Sequence, residues 1–136
     1  MFGISVRKYV VCTKEEKLSC AGLISEIVDL AKTALYEDVF ALENMALEIQ
    51  DALLETGIMQ IVGGYDAKLI ADMLDALIVT SGKTGAELLR QLIIREGVLH
   101  IRSGLEQNLV KEKLLAMLGE EAAVEARQLI DSGYKR

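Results

Sequence analysis

A few residues in this chain have side chains that could do chemistry. Gly82-Lys83-Thr84 has the ending of a phosphate-binding loop, in which backbone N–H groups and a lysine cradle a phosphate. The full pattern needs a glycine five residues before Gly82, and Leu77 stands there, on a helical rather than a strand pattern. The segment 80–86 therefore reads as a connecting loop. His100, the single histidine, lies between Leu99 and Ile101, and a lone histidine there reads as structural. Helical periodicity assembles no Ser-His-Asp or Cys-His arrangement around it. Glu15-Glu16 and Glu120-Glu121 are adjacent carboxylates. Adjacent residues on a helix do not face each other, so neither pair suits acid–base work, and both read as solvated faces. Cys12 and Cys20 match neither a CxxC nor a zinc pattern, and His100 cannot complete a metal site alone. The residues thus predict no catalytic group, no cofactor and no metal, and the chain reads as no enzyme.

Composition fixes the kind of scaffold these residues sit on. The 136 residues are 51% hydrophobic but only 4% aromatic, with no Trp and no Pro. The core must be aliphatic, and a Pro-free chain rich in Leu, Ala, Glu and Lys reads as all-α. Its length suits one domain, 1–136, of about five to six helices. The net charge of −6 argues against nucleic-acid binding through a basic surface. No apolar run approaches the roughly 20 residues that span a bilayer. No signal-peptide pattern opens the sequence, so a cytoplasmic location with reduced cysteines is expected.

Periodicity places the helices. Val6, Tyr9, Val10 and Val11 have β propensity, so residues 1–19 read as a short strand or extended arm leading into a helix. Ile24, Val28, Ala31, Leu35, Leu42, Met45, Ile49 and Ala52 form a heptad-like apolar stripe. Asp38 interrupts it, and a buried unpaired carboxylate is costly, so a break near Tyr36-Glu37-Asp38 is favoured over one continuous helix. Thr56-Gly57 is expected to end the second helix. Gly63-Gly64-Tyr65-Asp66 reads as a turn with Asp66 as N-cap, followed by a helix carrying Leu69, Ile70, Met73, Leu74, Leu77 and Ile78. The helix from Glu87 to Gly104 has two apolar stripes, Leu88/Leu92/Leu99 and Ile94/Val98/Ile101/Leu105, separated by Gln91, Arg95 and Arg102. A helix apolar on two sides packs between neighbours, within the fold or across a subunit boundary, and with so few aromatics it suggests a homodimer. Two helices follow, near Asn108–Leu118 and Glu120–Ser132, and Met45, Met59, Met73 and Met117 read as core filler.

Two blocks of sequence carry a resemblance. The first contains Ile27-Val28-Asp29-Leu30-Ala31-Lys32, Phe40-Ala41-Leu42-Glu43, and Leu54-Glu55-Thr56-Gly57-Ile58-Met59-Gln60-Ile61-Val62-Gly63-Gly64-Tyr65-Asp66. It ends with Leu69-Ile70-Ala71-Asp72-Met73-Leu74. The second runs from Leu89-Arg90-Gln91-Leu92 through Arg95-Glu96-Gly97-Val98 and Ile101-Arg102-Ser103-Gly104 to Lys113-Leu114-Leu115-Ala116-Met117-Leu118. In order and spacing, the two blocks resemble the cytoplasmic part of the MotA-type flagellar stator subunit, of the MotA/TolQ/ExbB proton channel family. In that family two membrane helices separate the blocks, whereas here 80–86 joins them and no ion channel can be built. The family has an Arg and a Gly where this chain has Leu35 and Asp38, while Glu43 keeps the family's acidic position. The resemblance implies a motility accessory protein that binds or chaperones stator subunits. A rotor switch-binding clutch or brake is the alternative, and a self-associating helical protein outside motility is a third reading. The residues implied in partner binding are Leu35, Asp38, Leu42 and Glu43 in the first block, with Arg95 and Arg102 in the second.

Overall fold

The structure is a computed structural model that describes residues 9–133. They form helices α1 (Lys14–Leu18), α2 (Ala21–Tyr36), α3 (Val39–Ala46), α4 (Ala52–Val62), α5 (Ala67–Ser81), α6 (Gly85–Arg102), α7 (Gln107–Ala116) and α8 (Glu120–Asp131). The all-α class is as expected, with more helices than the five or six read from periodicity. There is no strand among the described residues: Tyr9, Val10 and Val11 lead directly to α1, and Val6 lies outside the described residues.

Acidic and hydroxyl side chains start five of these eight helices by satisfying backbone N–H groups that have no partner within the helix. Thr13 and Glu16 form a reciprocal capping box on α1. Asp38 accepts from the Ala41 N–H, Asp51 from those of Leu53 and Leu54, and Asp66 from that of Leu69. Glu106 does the same for Asn108 and Leu109. The Asp38 cap explains why the long stripe is two helices at this point: its carboxylate is exposed and hydrogen-bonded rather than buried. A second interruption, 47–51, separates α3 from α4, so the stripe is divided between three helices.

Helix α6 lies at the centre, packed against α2, α4, α5 and α7. Both of its apolar stripes are covered inside the chain: Leu88, Leu92, Ile94, Val98 and Ile101 are buried, and Leu99 and Leu105 pack partly buried against the core. Its two-sided character is therefore satisfied without a second subunit. Two glycines allow the close packing. A Cβ at Gly97 would lie 2.7 Å from Cγ2 of Ile27 on α2, and one at Gly57 would lie 2.6 Å from Cγ2 of Val98 on α6. Gly57 thus corrects the expected helix stop: α4 runs through it to Val62, because the glycine serves the α4–α6 contact instead. Two methionines also depart from core filling, since Met59 and Met73 are exposed while Met45 and Met117 pack partly buried.

Gly97→Ala tests the α2–α6 contact. Alanine favours helix by about 1 kcal/mol over glycine, but the added methyl overpacks the core at a cost of about 1–3 kcal/mol. Net destabilisation is expected in urea titration, whereas Gly63→Ala, at the end of α4, stays near neutral.

Candidate interaction site

The α2–α3 corner begins with the Asp38 cap. Because the chain turns there, apolar residues on both sides of the turn are left without cover. Leu35 is 40% exposed, Tyr36 64%, Val39 46% and Phe40 68%. Beside them opens a cavity of about 300 Å³, lined by Ala34, Asp38, Val39, Leu42, Ile61, Gly64, Ile101, Arg102 and Gly104. Its floor is aliphatic, and its two charged residues, Asp38 and Arg102, have opposite signs.

Arg102 ends α6 and reaches the 63–66 turn, where its Nε donates to the Tyr65 carbonyl at 2.7 Å. Among the described residues no carboxylate pairs with it. The aromatic distribution singles out the same region. Tyr9, Tyr36, Phe40 and Tyr65 are all exposed, so the aliphatic core uses none of them. Tyr36, Phe40 and Tyr65 belong to the segments that build this cavity. Exposed aromatics and an arginine beside an apolar cavity are the side chains that anchor protein–protein contacts.

The six expected partner-binding residues separate into groups. Asp38, Leu42 and Arg102 come together at the cavity, although Leu42 is buried and forms part of its floor. Leu35 is exposed at the adjoining end of α2, and Glu43 is half-buried on α3. Arg95 stands apart. Its Nε donates to Asp75 Oδ1 at 2.5 Å, its Nη2 to Asp75 Oδ2 at 3.3 Å, and its Nη1 to Glu96 Oε2 at 2.7 Å. The hydrogen bonds that Arg95 donates to the Asp75 carboxylate hold its guanidinium above its ordinary pKa. Glu96 is buried, so Arg95 supplies the positive charge that makes its burial tolerable and also links α6 to α5. Tyr36, Val39, Phe40 and Tyr65 are absent from the sequence-based set. Their signal was present: Tyr36, Val39 and Phe40 are apolar residues off the stripe, on either side of its Asp38 break.

The remaining reactive groups have structural surroundings. Burial pushes the Cys12 and Cys20 thiols up, away from the thiolate form that would make them nucleophiles. Lys83 is drawn to Glu87 at 3.8 Å, in a loop with no phosphate-binding architecture. Among the described residues, no group of three His, Cys, Asp or Glu side chains is placed to hold a metal ion.

His100 gives a pH prediction. Its Nε2 lies 4.0 Å from Glu96 Oε1, and burial lowers its pKa below the ordinary 6.5 despite the pull of that carboxylate. The unfolded chain therefore takes up this proton more readily than the folded one, and stability falls as pH drops below about 6.5. Urea midpoints at about pH 7.5 and pH 5.5 are expected to differ more for the native chain than for His100→Gln.

No protein-family model, curated protein or solved structure matches this chain, so the corner and its cavity carry the functional reading together with the resemblance in the sequence.

Proposed function

We propose that this chain is a non-enzymatic binding protein of the flagellar motor, which holds or chaperones stator subunits through the α2–α3 corner. The observation that supports it is the exposure of Tyr36 and Phe40 beside the apolar cavity. A partner's apolar side chain would fill the cavity, and a partner carboxylate would meet the Arg102 guanidinium, which no carboxylate among the described residues neutralises. The order and spacing of the two stator-like blocks supply the partner. No described helix is long and apolar enough to cross a membrane, which suits a role on the stator's cytoplasmic part rather than in ion conduction. Leu35 and Asp38 replace the family's Arg and Gly at this same corner. A family position of positive charge thereby becomes apolar, which favours packing over electrostatic engagement of the rotor. The alternative, a clutch or brake on the rotor switch protein, is supported by Glu43, which retains the family's acidic character on α3.

Pull-down of the tagged full chain from detergent-solubilised motile cells separates the two. Recovery of stator subunits, reduced at least about tenfold by Phe40→Asp or Arg102→Glu, is the expected result. Circular dichroism of each variant establishes that it remains folded. Recovery of the switch protein instead, sensitive to Glu43→Lys, would replace the first reading with the second. Recovery of neither would remove both.

A further inference from the structure

We propose that the α2–α3 corner and the outer face of α3 take up a basic amphipathic helix of a partner protein. This rests on the reading of the corner as a protein-binding surface and adds the chemistry of what it binds. The outer face of α3 extends the corner. Leu42 and Ala46 are buried against the core, whereas Phe40, Glu43, Asn44 and Leu47 fall at i, i+3, i+4 and i+7 and form the outward stripe. Leu47 is 74% exposed, so with Tyr36 and Phe40 it carries the apolar surface from the cavity along α3. A single outward helix face of this kind offers the ridges and grooves on which another helix packs.

Charge states what covers it. Between Lys32 and Lys68 the sequence has seven carboxylates, Glu37, Asp38, Glu43, Glu48, Asp51, Glu55 and Asp66, and no Lys, Arg or His. The net charge of −6 therefore originates in this segment, and the rest of the chain is slightly positive. Among the described residues none of the seven forms an ion pair, and Asp38, Asp51 and Asp66 accept only from backbone N–H groups. Four of them, Glu37, Asp38, Glu43 and Glu48, border the apolar stripe of the corner and α3.

These four lie within about 20 Å of one another, roughly two Debye lengths at about 0.1 M salt, so their fields overlap. Such a surface repels nucleic acid and anionic lipid, and its apolar stripe suits a partner whose own apolar residues are flanked by Lys or Arg. An amphipathic helix supplies both along one face. Arg102 gives the pairing a direction. It stands at the cavity with the sign opposite to the α3 carboxylates, so the partner's acidic side chain belongs at the cavity end and its basic ones along α3.

The probe is a synthetic peptide of about 14 residues, about 21 Å long as a helix, with Leu at helical spacing and Lys elsewhere. Fluorescence anisotropy with the full chain is expected to show micromolar binding that weakens as salt rises from about 50 to about 500 mM. The same peptide with Glu for Lys is expected to bind at least about tenfold more weakly. The double variant Glu43→Lys/Glu48→Lys is expected to lose at least about tenfold in affinity for the Lys peptide. Glu15 and Glu120 are exposed elsewhere, and Glu15→Lys/Glu120→Lys makes the same change in net charge with binding kept within about twofold. Circular dichroism establishes that each variant remains folded. Equal loss in the two double variants would overturn the proposal, as would equal binding of the two peptides. Binding of the chain to phosphatidylglycerol vesicles in place of the Lys peptide would do the same. Recovery of stator subunits from cells without peptide binding overturns this inference and leaves the motor reading standing. Peptide binding without recovery of a motor protein supports the inference and removes the motor reading.

Discussion

The distance between α6 and its neighbours is the constraint on which the rest of the fold depends. Helices pack 8–10 Å apart when ordinary side chains lie between them, and less when one side chain is missing. Gly97 removes it where α6 meets Ile27 of α2, and Gly57 removes it where α4 meets Val98 of α6. An aliphatic core without large rings has little bulk to fill wide gaps, so close approach is how it reaches native packing density. Both glycines weaken their own helices, and the tertiary contact outweighs that loss. With α2 and α4 both held close to α6, the ends of α2, α4 and α6 converge, and that convergence walls the cavity at the α2–α3 corner.

The two arginines on the polar strip of α6 show how the same residue type takes different roles. Arg95 and Arg102 are seven residues apart and share a helical face. Asp75 of α5 reaches Arg95, and Glu96 beneath it is buried, so its charge is consumed within the fold. Arg102 lies beyond the span of α5 and meets the 63–66 turn, which offers a carbonyl but no carboxylate. It is therefore the arginine with electrostatic capacity left for a partner. The distinction depends on where α5 begins relative to the end of α6, a tertiary relation that spacing along one helix does not contain.

This is also the boundary of what the sequence makes legible. Local features are readable where one side chain determines them. The Asp38 break and the Asp66 cap follow from a carboxylate next to an apolar run, and the helical pattern of α6, α7 and α8 follows from periodicity. Gly57 is not legible in this way, because a glycine inside an apolar helix has two physical meanings, a stop or a close crossing, and only the position of Val98 decides between them. The heptad stripe from Ile24 to Ala52 has a similar ambiguity: it is divided by the Asp38 cap and by 47–51, and α3 packs on α2 and α4 rather than continuing α2, so Ile24, Ala31, Leu42 and Ile49 are buried while Leu35 is exposed. At the candidate site, Asp38, Leu42 and Arg102 are the residues that the sequence-based set shares with the cavity. Tyr36 and Phe40 lie outside that set because they are off the apolar stripe, which is also why they are exposed.

The connection between α5 and α6 carries the last part of the argument. In the family that the two blocks resemble, a pair of membrane helices occupies this point, and the flanking helices need only be compatible with it. Here α5 ends at Ser81 with Gly82 in the left-handed conformation, φ 69°, and α6 begins at Gly85. So short a turn makes α5 and α6 an antiparallel hairpin, and a hairpin needs its own cohesion along its length. Near the turn, Ile78 packs with Leu88 and Leu92, and Val10 covers the group. Further along, Arg95 binds Asp75 across twenty residues of chain. Apolar contact at the closed end and an ion pair toward the open end thus hold together two helices that the loop alone would not align. Because this pairing uses one side of α5 completely, the exposed stripe of Leu69, Met73 and Leu77 is a separate surface, and it follows from a helix carrying more apolar residues than its own hairpin can cover.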